Sequence, residues 1–167
     1  LFGEDGDDAL FGGGGGDELQ GGAGDDRVLG HGGDDLLLGG GGGDVLKGNA
    51  GADSLDGESG DDRLLGGKDD DILAGGAGAD RLSGGVGADR FVFEAGDGED
   101  NVVRDFAPKM DRLVFVDIEG VTRFDDLEVT GDAGGAVIAA RDVVVTLANV
   151  APDDVTAGDV LFELGLG

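Results

Sequence analysis

Residues 21–29 have the sequence GGAGDDRVL, and residues 75–83 have the closely similar sequence GGAGADRLS. Both follow the pattern GGxGxDxUx, in which U is apolar. The pattern fills residues 3–92 as ten units of nine residues with no gap between them. Because self-similarity at a short fixed period is the signature of a solenoid, these units decide the fold.

Four positions of the unit are nearly constant. The sixth position is always Asp: Asp8, Asp17, Asp26, Asp35, Asp44, Asp53, Asp62, Asp71, Asp80 and Asp89. The first position is always Gly: Gly3, Gly12, Gly21, Gly30, Gly39, Gly48, Gly57, Gly66, Gly75 and Gly84. The fourth is Gly in all units but one: Gly6, Gly15, Gly24, Gly33, Gly42, Gly51, Gly60, Gly78 and Gly87. The eighth is apolar: Leu10, Leu19, Val28, Leu37, Leu46, Leu55, Leu64, Leu73, Leu82 and Phe91.

These residue types predict an all-β fold. Glycines adopt positive φ and allow a sharp turn, and the last three residues of each unit form a short strand with its middle side chain inward. Two units then make one coil, and the ten units make five coils of a parallel β-roll. Odd-numbered units form one sheet and even-numbered units the other, so the apolar rows meet between them.

The composition favours a cation as partner. The chain of 167 residues has 38 acidic and 11 basic residues, a formal net charge of −27, and 39 glycines. This charge excludes a general nucleic-acid binder, and the absence of Cys excludes disulfides and thiolate metal sites. A core one side chain deep from each sheet is too thin to offset the ordering entropy of such a chain. Something other than apolar burial must therefore stabilise the fold.

Calcium fits this requirement. Ca²⁺ takes six to eight oxygen ligands, both carboxylates and main-chain carbonyls. Each turn offers glycine carbonyls and one carboxylate, and the turn stacked above it offers the same set, so five turns on each edge give about eight ions. Residues 3–92 carry a net charge of −15, which eight divalent ions would neutralise. We expect the repeats to be largely unfolded without calcium.

The unit resembles the calcium-binding nonapeptide of RTX, or hemolysin-type, proteins, a secreted bacterial family that includes serralysin-type proteases and the R modules of alginate epimerases. The resemblance implies a parallel β-roll, type I secretion, and folding outside the cell. It also implies that the ten aspartates and the carbonyls of the glycines before them are the ligands. The chain departs from the pattern at Glu4, His31, Asn49, Glu58 and Asp69, and the site near Asp69 and Asp71 is the weakest match.

After Phe91 the period is lost, and residues 93–167 are predicted to form a β-rich cap on the roll of residues 1–92. The predicted strands are Arg90–Glu94, Asn101–Phe106, Arg112–Ile118, Ala136–Ala140, Val143–Asn149 and Asp159–Leu164. The start of this segment resembles the C-terminal cap of RTX proteins, with Asn101 in place of an Asp and with Asp105 and Asp111 matching. A terminal ion is expected at Asp105. The ending DVLFEL is interpreted as a C-terminal export signal or as an ordinary last strand.

No catalytic set is evident: His31 is the single histidine, and it falls in a predicted turn. We expect a non-catalytic fragment of a longer protein, with an upstream domain as a further partner. No membrane span and no signal peptide are visible in the sequence. Four basic residues share the outer face of the odd-unit sheet: Arg27, Lys47, Arg63 and Arg81. They are interpreted as pairing with nearby carboxylates, or as the binding face of a polysaccharide-binding or adhesin module, with a groove for an acidic polysaccharide.

Overall fold

The computed structural model describes residues 1–98, 100–132, 134–141 and 143–163. Seventeen strands in these residues form two sheets. Sheet I has eight strands, in spatial order β1 (Phe2–Asp5), β3 (Glu18–Ala23), β5 (Leu36–Gly41), β7 (Ser54–Ser59), β9 (Ile72–Ala74), β11 (Arg90–Glu94), β13 (Arg112–Val116) and β17 (Val160–Glu163).

Sheet II has nine strands. Their spatial order is β2 (Ala9–Gly14), β4 (Arg27–Gly32), β6 (Val45–Ala50), β8 (Arg63–Lys68), β10 (Arg81–Val86), β12 (Asn101–Val103), β16 (Val143–Ala148), β15 (Gly135–Ala140) and β14 (Glu128–Asp132). The strands from β2 to β16 pair in parallel, whereas β16, β15 and β14 form an antiparallel meander. Three 3₁₀ helices lie in the described part of the cap, at Phe124–Asp126, Pro152–Asp154 and Ala157–Asp159.

The predicted parallel β-roll is confirmed. Within the repeats each strand pairs with the strand two units further on, so that Leu19 lies beside Leu37 and Leu37 beside Leu55. Odd-numbered units supply sheet II and even-numbered units supply sheet I, as expected. Most strands are six residues long, twice the predicted length, because the first glycines of each following unit also pair, as Gly22 does with Gly40.

The roll has about six turns, one more than predicted. After the last repeat, β12 adds to β10 at a spacing of 21 residues, and β13 adds to β11 at a spacing of 22. These longer spacings conceal the extra turn from a search for a strict nine-residue period. Strand pairing continues past residue 92 and so marks no boundary there. The division of the chain into residues 1–92 and 93–167 stays a prediction from composition.

The core is a pair of facing apolar rows. The eighth-position side chains from Leu19 to Phe91 are at most 1% exposed, and Leu10 in the first coil is 7% exposed. In the cap, a second row on sheet I packs the tilted rings of Phe93 and Phe115 together at 5.8 Å between centroids and stacks Phe115 on Phe162 at 6.2 Å. The core therefore thickens toward the cap, where the apolar burial is deepest.

The backbone conformation of the turns explains why glycine is common at two positions of the unit, and it shows the strain at the five residues that depart from the pattern. The second position of every unit has positive φ, including Glu4, His31, Asn49 and Glu58, whose φ angles lie between 67° and 80°. The fourth position also has positive φ throughout, and Asp69 reaches 74° there. A side chain in this region costs roughly 1–2 kcal/mol relative to glycine. The five departures are therefore sites of local backbone strain.

The predicted cap strands are confirmed in position, with shifted ends. Arg90–Glu94 is found as predicted, β12 ends at Val103, β13 ends at Val116, β15 begins at Gly135, and β16 ends at Ala148. β17 begins at Val160, and Leu164, the predicted last residue of that strand and of the DVLFEL motif, lies outside the described residues. Strand β14 was not predicted.

Candidate metal centre

Two rows of aspartates run along the two edges of the roll. Row 1 lies at the turns that lead into sheet II and contains Asp8, Asp26, Asp44, Asp62 and Asp80. Row 2 lies at the turns that lead into sheet I and contains Asp17, Asp35, Asp53, Asp71 and Asp89. The period of nine, with two units to a coil, places successive members of one row on adjacent coils.

Each aspartate beyond the first coil is held by the coil before it. The main-chain N–H of Asp26 donates to Oδ1 of Asp44 at 2.7 Å, and the N–H of Asp53 donates to Oδ1 of Asp71 at 2.9 Å. The same bond joins every other adjacent pair within the two rows, with lengths from 2.7 to 3.0 Å. One oxygen of each of these carboxylates is therefore used to set the register of the coils.

The other carboxylate oxygen has no partner among the described residues. In nine of the ten aspartates Oδ2 is buried and accepts no hydrogen bond from them: Asp8, Asp17, Asp26, Asp35, Asp44, Asp53, Asp62, Asp71 and Asp80. From Asp26 onward each aspartate of the two rows is at most 3% exposed. A buried carboxylate without a compensating charge is strongly unfavourable, so a bound cation is what this repeated arrangement would accommodate.

The first glycine of each unit makes room for this oxygen. A Cβ built on Gly21 would lie closer than 3.0 Å to both Oδ2 of Asp26 and the carbonyl oxygen of Gly39 on the next coil. The equivalent position at Gly39 is as close to Oδ2 of Asp44 and to the carbonyl oxygen of Gly57. Carboxylate and carbonyl oxygens from adjacent coils therefore converge on one small space, which only glycine leaves open.

The fourth-position glycines are needed for close stacking of the turns. A Cβ on Gly24 would lie 2.6 Å from the carbonyl oxygen of Gly6, and a Cβ on Gly33 would lie 2.6 Å from that of Gly15. At these positions the carbonyl oxygen of one coil points toward the next coil. The predicted ligand glycines are thus brought into two stacks, each parallel to one row of aspartates.

Burial raises the pKa values of the ladder carboxyls. It raises the pKa of Asp62 and of Asp71 to about 7, and the neighbouring ladder carboxylates raise it further while the main-chain hydrogen bond opposes the shift. The pKa of Asp53 and that of Asp80 are each raised to about 6, again mainly by burial. Negative charge is therefore unfavourable in these rows unless a cation accompanies it.

The donor set fits calcium and no softer metal. In the described part of the chain no three His, Cys, Asp or Glu side chains cluster in a way that could hold a metal. The oxygens that converge at the turns of the two rows are carboxylate oxygens and main-chain carbonyl oxygens. An all-oxygen set of mixed carboxylates and carbonyls is the preference of Ca²⁺, whereas Zn²⁺ prefers nitrogen and sulfur.

A second aspartate in some units has a role that the sequence did not reveal. Side chains at the fifth position accept the main-chain N–H one coil further on: Asp25 accepts from Gly43 at 2.9 Å, and Asp61 accepts from Ala79 at 3.0 Å. Asp7, Asp34 and Asp70 accept the same bond. The Asp–Asp doublet is the signal for it, because one carboxylate faces inward and the other joins the coils from outside.

Both rows continue into the cap. The N–H of Asp80 donates to Oδ1 of Asn101, and the N–H of Asp89 donates to Oδ1 of Asp111, each at 3.1 Å. Asn101 and Asp111 thus occupy the next ladder position of rows 1 and 2. The second polar atom of each is hydrogen bonded, since Asn101 Nδ2 donates to the carbonyl of Asp97 and Asp111 Oδ2 accepts from Ala107.

Asp105, predicted to hold a terminal ion, lies outside both rows. Its Oδ1 accepts from the N–H of Gly84 at 3.1 Å. Its Oδ2 accepts from the N–H of Gly85 at 3.0 Å and from the Ser83 hydroxyl at 2.6 Å. This carboxylate therefore joins the cap to the last two units, and its part in metal binding stays a prediction.

The basic residues of sheet II are at least partly exposed and form no ion pair within the described structure. Arg63 and Arg81 lie side by side on β8 and β10, and no carboxylate of the described residues forms an ion pair with either, or with Arg27 or Lys47. Sheet I has a similar pair, Arg90 beside Arg112, but there Arg90 forms an ion pair with Glu163 at 2.5 Å. Across the residues that the structure describes, the predicted pairing with carboxylates is therefore absent on sheet II.

No helix among the described residues is long and apolar enough to cross a membrane. The single histidine, His31, stacks on Phe11 with 6.2 Å between ring centroids, at the exposed surface of sheet II. A parallel β-solenoid of calcium-binding repeats is in itself a metal-binding architecture and not a catalytic one.

The solved structures that resemble the chain include an extracellular lipase and two subunits of an epimerase. The crystal structure of the extracellular lipase LipA from Serratia marcescens matches with a TM-score of 0.55 and 19% identity, over 96% of this chain and 39% of the lipase. The AlgE6R2 subunit of the Azotobacter vinelandii mannuronan C5-epimerase matches with a TM-score of 0.45 and 23% identity, over 81% of this chain and 92% of the subunit. The AlgE6R3 subunit of the same enzyme matches with a TM-score of 0.36 and 22% identity, over 95% of this chain and 80% of the subunit. The chain thus spans well under half of the lipase, with which it shares the fold.

No curated protein matches the chain. The sequence profile of the RTX calcium-binding nonapeptide repeat matches it in four copies, at residues 2–37, 11–46, 38–73 and 65–100. These copies overlap and together cover residues 2–100, more than half of the chain, in the same segment that carries the two aspartate rows. The protein therefore belongs to the family of RTX calcium-binding repeat proteins.

Proposed function

We propose that this chain is a calcium-triggered folding module of a secreted protein. The observation that carries the proposal is the set of nine buried carboxylate oxygens that have no hydrogen-bond partner among the described residues. With calcium bound, these oxygens gain a counter-charge, and the coils are held together at both edges. Without it, the stacked carboxylates repel one another, and the thin apolar core does not compensate.

The proposed ligands are the ten aspartates of rows 1 and 2, together with carbonyl oxygens of the first- and fourth-position glycines. About eight ions follow from four gaps in each row of five. Convergence of Asp26 Oδ2 and the Gly39 carbonyl on one space supports this set. Asp105 is a weaker candidate, because both of its carboxylate oxygens accept hydrogen bonds from donors of the last two units.

The biological role that we propose follows from this coupling. The chain would stay unfolded in the calcium-poor cytosol, pass through a type I secretion apparatus, and fold outside the cell. There it would stabilise an upstream domain of the same protein. The exposed Phe2 and Phe11 on the outermost coil, with 69% and 54% of their surfaces accessible, support a contact at that end of the roll. We ascribe no catalytic step to this chain.

Circular dichroism with and without calcium tests the trigger. In EDTA we expect the β-sheet spectrum to be largely lost, and we expect excess Ca²⁺ to restore it. Mg²⁺ is the matched control, because it demands a small octahedral site and gives up its water reluctantly. A β spectrum that is the same in EDTA and in calcium would contradict the proposal.

A second candidate function is binding of an acidic polysaccharide by sheet II. The observation that favours it is the stacked pair Arg63 and Arg81, which within the described residues lacks the ion pair that its counterpart Arg90 has with Glu163. Two stacked guanidinium groups repel each other unless an anion lies between them. On a chain of net charge −27 such an exposed basic strip is unexpected.

Titration of the calcium-loaded chain with oligomers of uronic acids at two salt concentrations tests this candidate. Binding should weaken at higher salt and should be lost in the double variant Arg63→Ser/Arg81→Ser. The control variant Arg123→Ser removes an exposed arginine of the cap and should bind as the wild type does. No calcium-dependent binding at low salt would exclude this function.

A further inference from the structure

Row 1 extends one step further than the repeats do. Asp80 is its last aspartate, and Asn101 occupies the next position, where its Oδ1 accepts the Asp80 N–H at 3.1 Å. Asp80 is fully buried, and its Oδ2 has no partner among the described residues. The carboxylate at the end of row 1 is therefore as buried as those inside the row, and its Oδ2 likewise has no partner among the described residues.

Row 2 ends differently. Its last aspartate, Asp89, is not among the residues whose Oδ2 is buried without a partner. The residue above it, Asp111, accepts the Asp89 N–H at Oδ1 and the Ala107 N–H at Oδ2, so the two rows differ in the last aspartate, Asp80 or Asp89. Within the described structure, the unpartnered buried oxygens thus number five in row 1 and four in row 2.

We infer that row 1 binds one calcium ion more than row 2, in the gap between Asp80 and Asn101. This ninth site rests on the proposed calcium function and refines its stoichiometry. Asp80 supplies the carboxylate, and Asn101 supplies its carboxamide Oδ1, which has a second lone pair beside the one that accepts the Asp80 N–H. Such an oxygen is a neutral ligand that calcium sites commonly use. Residues of the cap therefore complete the metal row, and the row is longer than the repeats that define it.

The amide of Asn101 also ends the row. Because Oδ1 accepts the Asp80 N–H, the nitrogen must be the other polar atom, and it donates to the Asp97 carbonyl at 3.1 Å. A donor at this place cannot bind a cation, so no further ion follows above Asn101. With one carboxylate where the inner sites have two, the ninth site should be the weakest of row 1 and the last to fill.

Crystals of the calcium-loaded chain, with anomalous diffraction to locate calcium, give the direct test. We expect five calcium peaks along row 1, the last of them between Asp80 and Asn101, and four along row 2. The absence of that fifth peak, or a matching peak between Asp89 and Asp111, would overturn the inference. The absence of calcium from both rows would instead overturn the proposed function.

Equilibrium dialysis against calcium tests the same site in solution, at about 0.15 M salt to screen diffuse ion binding. The wild type should bind nine ions and Asn101→Ala eight. Asn101→Asp should still bind nine, with the weakest ion bound roughly tenfold more tightly or better, because a charge is added beside it. Asn149→Asp places the same charge on a turn outside both rows and should change neither value.

Circular dichroism in calcium must first show that each variant is folded. If Asn101→Ala does not fold, the Asn101→Asp variant decides: an unchanged affinity for the last ion would overturn the inference. Nine ions in a folded Asn101→Ala variant, or eight in the wild type, would do so as well.

Discussion

The N–H of Asp53 donates to Oδ1 of Asp71 on the next coil, while Oδ2 of each of these aspartates is buried without a partner among the described residues. One carboxylate therefore has two separate tasks: one oxygen holds the coils in register, and the other is left for a cation. Loss of the side chain removes both at once, in two adjacent gaps of the row.

Asp53→Ala should accordingly destabilise the calcium-loaded roll by about 3–5 kcal/mol, the usual cost of breaking a buried charge pair. Asp56→Ala is the matched control, because Asp56 lies three residues away on the outer surface of β7 and belongs to neither row. Urea unfolding in calcium measures both. Equal stability of the two variants would contradict the assignment of Asp53 as a ligand.

The first glycine of the unit offers a test that leaves every carboxylate in place. Gly39→Ala adds a methyl group closer than 3.0 Å to Asp44 Oδ2 and to the Gly57 carbonyl. We expect a loss of about 1–3 kcal/mol in stability and weaker calcium binding, because the space shared by these oxygens is filled. Gly14→Ala, which meets no atom within 4 Å, should leave both unchanged. Wild-type calcium affinity in Gly39→Ala would contradict the proposed geometry.

The fifth-position aspartates should stabilise the roll through a hydrogen bond and not as ligands. Asp25→Ala removes the acceptor of the Gly43 N–H and should cost about 1 kcal/mol, whereas Asp25→Asn keeps an acceptor and should cost less. Both are measured by urea unfolding in calcium, and calcium stoichiometry should be the same in the two variants. Loss of an ion in Asp25→Asn would show instead that Asp25 is a ligand.

Acid should partly replace calcium. Burial raises the pKa of Asp62 and Asp71 from 3.8 to about 7, so that folding favours their protonated forms. This contribution to stability is fully present below the unfolded pKa and is lost as the pH rises through the folded value. The metal-free chain should therefore have more β structure at about pH 5 than at about pH 8.

Circular dichroism of chelator-treated protein across this range measures the effect. Calcium affinity should instead increase from pH 5 to pH 8, because protons and calcium compete for the same carboxylates. A metal-free spectrum that does not vary with pH would contradict the burial of these carboxyls.

The sequence alone predicts the roll, its two aspartate rows and its leucine core, because each depends on a position within a strict period. Leu19 and Leu37 are two units apart, and they pair. The sixth turn was missed because the spacing changes to 21 and 22 residues before Asn101 and Asp111. Strand β14, Glu128–Asp132, was missed because its sequence EVTGD has no run of alternating apolar residues.

The role of the outward carboxylate of the doublets could not be predicted from the sequence. Its hydrogen bond to the next coil depends on how closely successive turns approach, which the fourth-position glycines determine and the pattern of residue types does not reveal. In the same way, the ion pair between Arg90 and Glu163 joins residues 73 positions apart and has no signature in the sequence.

Because the coils are regularly spaced, a strand can pair with the wrong neighbour during folding. A shift of one strand by two units would place leucine on leucine and aspartate on aspartate again, so the repeats alone scarcely distinguish the correct alignment from a slipped one. The strands after residue 100 break this degeneracy, since β12 and β13 fit the roll only at their own longer spacings. The irregular C-terminal end of the roll thus fixes the register of the strands, and folding of the roll should start there.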